Sequence, residues 1–220
     1  MFTGLIEEIG VIGAVSKKTE SMELYIKCST ILSGLAIGDS IAVNGVCLTV
    51  TTYTPSSFTA DVMPETFHAT SLKVLPLGSK VNLERAMKAN GRFGGHFVSG
   101  HVDTTGVIKR KEYIENALYL NIHLPKEFMQ YMMEKGSIAI DGTSLTIFSV
   151  NDQESCVTIS LIPQTQKDTS LSSKKKNDVV NIECDMIAKY LNRLLKKENG
   201  SSTSNSSINV QFLKQHGFTE

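Results

Sequence analysis

A chain of 220 residues lies between one ordinary domain and two, at roughly one domain per 150 residues, so two small domains of about 100 residues each fit. A hydrophobic share of 41% and a charged share of 20% are those of a globular protein with a real core, which excludes a disordered or fibrous chain. Twenty-two basic residues balance 22 acidic ones, and the formal charge of +0 argues against the basic face of a general nucleic-acid binder.

The opening MFTGLIEE places acid where a signal peptide needs basic residues, and no run approaches the roughly 18 apolar residues of a membrane span. A cytoplasmic protein is expected. Short runs rich in Val, Ile and Thr predict strands over residues 3–15 and 22–28, then 40–43 and 46–52, then 57–62 and 80–83. Asn44-Gly45 supplies the positive φ angles of a two-residue hairpin turn between the middle pair. Six strands in fewer than 100 residues suggest a small closed β-barrel, which leaves no exposed edge.

Helical signals are few. One covers residues 125–135, and another follows Asp185, a plausible N-cap, with Ile187, Leu191, Leu194 and Leu195 on one stripe and Gly200 beyond its end. Residues 200–207 read as a polar linker, and 208–216 as a short amphipathic segment stopped by Gly217. A lone striped helix has no core of its own, so it should dock on a barrel or on copies of itself.

The chain repeats itself. SIAVNGVCLTV (40–50) aligns without gaps on SIAIDGTSLTI (137–147), with six of 11 positions identical. At roughly one chance match per 15 positions, fewer than one identity is expected. FTGLIE (2–7) lies over VSGHVD (98–103), PETFHATSL (64–72) over PQTQKDTSL (163–171), and VNLE (81–84) over VNIE (180–183). The offset drifts only from 96 to 97 to 99, so a domain of about 96 residues is duplicated and followed by a C-terminal extension. A long period occurring twice excludes a solenoid.

Differences between the copies mark where chemistry can diverge. Cys47 stands where the second copy has Ser144, each opening a Leu-Thr pair after the hairpin turn; both are small nucleophilic or hydrogen-bonding types, and both are equally read as packed side chains. Leu5 stands opposite His101, a residue able to move a proton at neutral pH or simply a structural histidine. The junction NGRFGGHFVSGH (90–101) carries four glycines and two histidines. His96 and His101 lack a third ligand at metal-like spacing, and the glycines do not form a phosphate-binding loop. Asp185, opposite Ala86, reads as a helix cap, and KKK (174–176) as a solvated charge run. Cys28, Cys47, Cys156 and Cys184 are widely spaced, which suggests reduced residues rather than a zinc site or a disulfide framework.

MFTGLIEEIG (1–10), NGVCLT (44–49), DVMPET (61–66), GHFVSGHVD (95–103) and DGTSLT (141–146) together resemble the riboflavin synthase α-chain family. The likeness covers residues 1 to about 195; FLKQHG (212–217) is similar to the family's tail, with the Ser-rich stretch as an insertion. The resemblance implies an all-β dominated fold of two tandem six-stranded Greek-key β-barrels with short helices and a C-terminal helix. Its domains are expected at 1–96 and 97–185, with 186–220 serving trimerisation. It implies that two molecules of 6,7-dimethyl-8-ribityllumazine exchange a four-carbon unit, yielding riboflavin and 5-amino-6-(D-ribitylamino)uracil as the last step of riboflavin biosynthesis. Further expectations are no metal or redox cofactor, a homotrimer joined through its C-terminal helices, and an association with lumazine synthase. Catalysis is expected where the N-terminal barrel of one subunit faces the C-terminal barrel of another.

By the same resemblance, His101 is the candidate for proton transfer. Cys47, Ser40, Ser144 and Thr146 match family positions that activate, add to or hydrogen-bond the lumazine ring, and Asp185 matches a further acidic one. Which is base and which nucleophile stays open. Binding falls to Gly4, Leu5 and Ile6, to Cys47, Leu48 and Thr49, and to Asp61, Val62, Met63, Pro64, Glu65 and Thr66. The second-copy counterparts are Gly100, His101 and Val102, then Ser144, Leu145 and Thr146, then Ser160, Leu161, Ile162, Pro163, Gln164 and Thr165, with Lys135 nearby. Two competing readings are a non-catalytic lumazine or flavin binder of the same fold, and an oligonucleotide-binding barrel. Intact Cys-Leu-Thr and Ser-Leu-Thr motifs with His101 weigh against the first, and zero net charge with 7% aromatic content against the second.

Overall fold

The computed structural model describes residues 1–17, 21–201 and 210–218. Strands β1 (Glu8–Lys17), β2 (Met22–Lys27), β3 (Ser40–Val43), β4 (Val46–Thr54), β5 (Ser57–Val62) and β6 (Lys80–Arg85) close into a barrel in the order β1-β2-β5-β4-β3-β6. Strands β7 (Thr104–Ile114), β8 (Ala117–His123), β9 (Ser137–Ile140), β10 (Thr143–Asn151), β11 (Cys156–Leu161) and β12 (Val179–Cys184) form a second closed barrel with the same neighbours. The β2–β5 and β3–β6 pairings skip neighbours in sequence, as in a Greek key, and closure leaves no strand edge to aggregate.

Alternation drives the strands. In β8, Leu118, Leu120 and Ile122 are fully buried while Tyr119 and Asn121 between them are only partly covered. Register slips between Ile12 and Ala14 and between Val50 and Thr52 recur between Ile108 and Arg110 and between Ile147 and Ser149. Bulges bend long strands, so four at matching places help two small barrels close in the same way.

Both barrels lie in one compact unit, Met1–Met186, and make reciprocal contacts of the kind found around a twofold axis. Phe2 and Val98 exchange backbone hydrogen bonds of 2.7 and 3.3 Å, and with Ala42 and Ala139 they form a small apolar core apart from the two barrel cores. The hairpin turns meet back to back. Gly45 and Gly142 both have φ +77°, and a Cβ on either would lie 2.7 Å from the backbone nitrogen of the other. Asn82 Nδ2 donates to the Asp141 carbonyl at 2.9 Å, and Asn181 Nδ2 to the Asn44 carbonyl at 2.8 Å. Their side-chain oxygens accept from Ser170 N–H and Ser71 N–H, both at 2.7 Å, so these buried amides serve both barrels.

Several expectations are corrected. Residues 3–7 do not belong to β1, because Gly4 at φ +77° turns the chain before Glu8. The helix expected over 125–135 is a six-residue 3₁₀ segment, Lys126–Tyr131. Two short helices, α1 (Pro64–Ala69) and α2 (Pro163–Asp168), begin at prolines that fit the first helical turn. Helix α3 (Met186–Ser201) runs through Gly200 instead of ending before it, and α4 (Val210–Gln215) follows. The rest of the expected linker, 202–207, lies outside the described residues. Lys174 is not solvated: it is 7% exposed, with Nζ 3.1 Å from Oδ2 of the fully buried Asp141. The second unit, Ile187–Glu220, exposes Ile187, Tyr190, Leu191, Leu194 and Leu195 on α3. Among the described residues no helix is long and apolar enough to cross a membrane.

Candidate functional site

On the first barrel, Ser40, Thr49 and Asp61 lie side by side across β3, β4 and β5 through the pairs Ser40–Thr49 and Thr49–Asp61. Cys47, two residues back on β4, is half-buried, whereas Leu48 points into the core. Val62 is buried at the end of β5, and Met63, Pro64, Glu65 and Thr66 lead from it into α1. The second barrel repeats the arrangement: Ser144, Leu145 and Thr146 on β10, Ser160 and the buried Leu161 on β11, and Ile162, Pro163, Gln164 and Thr165 leading into α2. Glu65 against Gln164, Asp61 against Ser160 and Cys47 against Ser144 are chemical differences between rims of the same layout.

The glycine-led segments are exchanged between barrels, which corrects the expected grouping by copy. The Cys47 N–H donates to the Gly100 carbonyl at 2.8 Å, and Val102 packs on the first barrel's core, so Gly100, His101 and Val102 complete the first barrel's rim. Reciprocally, the Ser144 N–H donates to the Gly4 carbonyl at 2.8 Å, which sets Gly4 against the second barrel. His101, next in the chain to the Gly100 that bonds Cys47, is exposed.

His96, passed over in the sequence except as an incomplete metal ligand, stands beside Ser144. Its Nδ1 lies 2.7 Å from Ser144 Oγ, while Nε2 is buried with no hydrogen-bond partner among the described residues. Burial pushes the imidazole pKa below its usual value and the negative charge of Asp185 pulls it back up, so the ring is neutral at pH 7. A neutral imidazole against a hydroxyl can take or return its proton. The signal available in sequence was only a histidine in a glycine-rich junction.

Asp185 follows β12 and leads into α3; it reaches the second barrel's rim through its charge on His96. Lys135 is exposed at φ +64° in the turn before β9, its N–H bonded to the Ile147 carbonyl next to Thr146. A separate cavity of about 570 Å³ between residues 3–7 and the segment from Glu84 to Arg92 includes Leu5 and Ser40 of the expected residues. There Arg85 grips Glu7 with Nε at 2.9 Å and through a second, shorter contact from Nη2. None of the four cysteines is in a disulfide, and Cys28, Cys156 and Cys184 are buried. Burial, helped by the charge of Glu8, pushes the Cys28 thiol up to about 12, so it stays unreactive at neutral pH.

Residues 3–86 and again 99–185 match the family described as the lumazine binding domain. A riboflavin synthase of Bacillus subtilis (strain 168) is 55% identical over 218 residues, 99% of this chain and 100% of that protein. A riboflavin synthase of Actinobacillus pleuropneumoniae is 49% identical over the same shares of both chains. Among solved structures, LumP complexed with 6,7-dimethyl-8-(1'-D-ribityl) lumazine is similar at a TM-score of 0.75 and 25% identity, covering 84% of this chain and 99% of that one.

Proposed function

Because the chain belongs to the riboflavin synthase family, built on two lumazine-binding domains, we propose that it converts two molecules of 6,7-dimethyl-8-ribityllumazine into riboflavin and 5-amino-6-(D-ribitylamino)uracil. The observation carrying this reading is the 55% identity to a riboflavin synthase over the whole of that protein. The two products together contain every atom of the two substrates, so the transfer itself needs no oxidant or reductant.

Each barrel rim binds one lumazine. Backbone groups of β4 and β10 read the pyrimidinedione edge, and Thr49, Asp61, Thr66 and their counterparts hold the ribityl hydroxyls. The 7-methyl group of the substrate is acidic because its anion delocalises into the ring, so a base of near-neutral pKa suffices to draw the proton. His101 serves the first barrel beside Cys47. At the second, the His96–Ser144 pair adds a hydroxyl that imidazole can activate, with Thr146 and Asp185 on the same side. Ser40, across from Thr49, hydrogen-bonds ligand at the first rim. Holding two lumazines face to face does much of the remaining work by proximity.

The finer reading is a cytoplasmic homotrimer in which the first barrel of one subunit faces the second barrel of the next. The exposed apolar stripe of α3 supports self-association, since Leu191, Leu194 and Leu195 are each more than half exposed. Association with lumazine synthase belongs to the same reading. Purified chain given the lumazine should accumulate flavin well beyond its own molar amount; retention of lumazine without turnover would instead identify a binding protein.

A further inference from the structure

We propose that Glu84 and Glu183 are positioning residues that act across the twofold, each holding on the last strand of one barrel the segment that completes the lumazine site of the other. This inference rests on the lumazine-site reading above. Glu84 ends the VNLE block and Glu183 the matching VNIE block, and both are almost fully buried. Glu84 Oε1 accepts from the Thr3 N–H and hydroxyl, both at 2.7 Å, and Oε2 from the Gly4 N–H at 2.9 Å. Glu183 accepts in the same pattern from the Ser99 N–H at 2.6 Å, its hydroxyl at 2.7 Å and the Gly100 N–H at 3.0 Å.

Three donors converge on two oxygens, a demand that a carboxyl group with acceptor lone pairs on both oxygens meets and an amide nitrogen does not. Glutamine would turn an NH₂ toward the Gly4 or Gly100 N–H. Past the grip, Gly4 at φ +77° aims its carbonyl at the Ser144 N–H, and Gly100 at φ +82° aims its own at the Cys47 N–H. The approach is close enough that a Cβ on Gly4 would lie 2.6 Å from Ser144 Cβ, and one on Gly100 2.6 Å from Cys47 Cβ. Displacing either carboxylate therefore moves the backbone that seats the reactive side chain of the opposite barrel. A general packing role would instead loosen both barrels alike, or the barrel whose strand carries the change.

Cys47 is the natural reporter, being half-buried where the other three thiols are buried. Its alkylation by iodoacetamide reads the first barrel; Ser144→Cys combined with Cys47→Ser moves the reporter to the second. In unliganded protein Glu183→Gln should speed alkylation of Cys47 about tenfold, as the loss of one hydrogen bond predicts, while Glu84→Gln leaves it within about twofold. The thiol introduced by Ser144→Cys should show the opposite preference. Bound 6,7-dimethyl-8-ribityllumazine should then protect each thiol less well in the variant that loosens it. Should the glutamine variants fail to fold, Ser99→Ala and Thr3→Val each remove one of the three bonds and should give the same crosswise pattern at smaller amplitude. Equal acceleration of both thiols, or acceleration in the barrel that carries the substitution, overturns the inference. If lumazine protects neither thiol in the unsubstituted glutamate background, the site reading fails, while the unliganded rates still decide the positioning role.

Discussion

The second barrel carries Asp141 and the buried Lys174 at positions where the first carries Asn44 and Leu75, yet the two turns, bulges and strand orders match. A buried ion pair in one copy and a neutral pair in the other show that charge at this corner is not what specifies the fold. The shared parts are the back-to-back glycines, the bridging Asn82 and Asn181, and the carboxylate grips. The chemistry diverges instead at Cys47 and Ser144. Of these, Ser144 is bonded to a histidine side chain, so duplication has kept the frame while the side chains after the hairpin turns differ.

The largest way to sharpen that contrast is through activity. Ser144→Ala should lower kcat by about 10³-fold, within the range for a lost acid–base partner, while Cys47→Ser, which copies the other barrel, should cost less than about tenfold. Steady-state kinetics on both variants check it, and equal losses would mean that the His96 contact confers no division of labour.

Next in size is the ion pair. Lys174→Met leaves the Asp141 carboxylate buried without its cation and should destabilise by about 3 kcal/mol at neutral pH, read by chemical denaturation. Combining Asp141→Asn with Lys174→Leu recreates the first barrel's pair and should recover most of that loss. Burial raises the Asp141 pKa above the ordinary carboxylate value, so stability from this group is present at low pH and lost as pH rises through the raised value. The Lys174→Met defect should accordingly be greater at pH 8 than at pH 5.

Smaller effects follow at the turns. Gly45→Ala and Gly142→Ala each force a Cβ against the facing glycine at positive φ and should each cost about 2 kcal/mol. Near-equal losses support the twofold; a loss at one turn alone breaks it.

The smallest effect is one of pH. His96 is held neutral, so its contribution to stability is present above the ordinary imidazole range and lost as pH falls through its lowered pKa. Asp185→Asn removes the charge that raises that pKa, so the acid limb of a His96-linked activity or stability profile should move to lower pH. A shift the other way would separate Asp185 from His96.

Much of this was legible in the sequence because period-two alternation, the Asn-Gly and Asp-Gly turns and the gapless repeat all point to the same small barrel. The divergence between the copies was legible too, since Cys47 and Ser144 stand out where two copies disagree. The exchange of Gly4 and Gly100 between barrels was not, because aligning repeats cannot say which barrel receives a segment. Glu84 and Glu183 were visible as repeated residues, but a carboxylate becomes a grip only when its buried donors are known. Lys174 was misread because a run of three lysines looks solvated until its buried partner is seen. The helices α1 and α2 span fewer than two turns each, too short for a helical period to register.

Mass balance tests the central claim most directly. Quantifying lumazine, flavin and pyrimidine together during turnover should show two lumazines consumed for each riboflavin and each 5-amino-6-(D-ribitylamino)uracil formed, through many cycles per chain. Lumazine held at fixed stoichiometry with neither product, or flavin without the matching pyrimidine, would contradict four-carbon transfer by this protein.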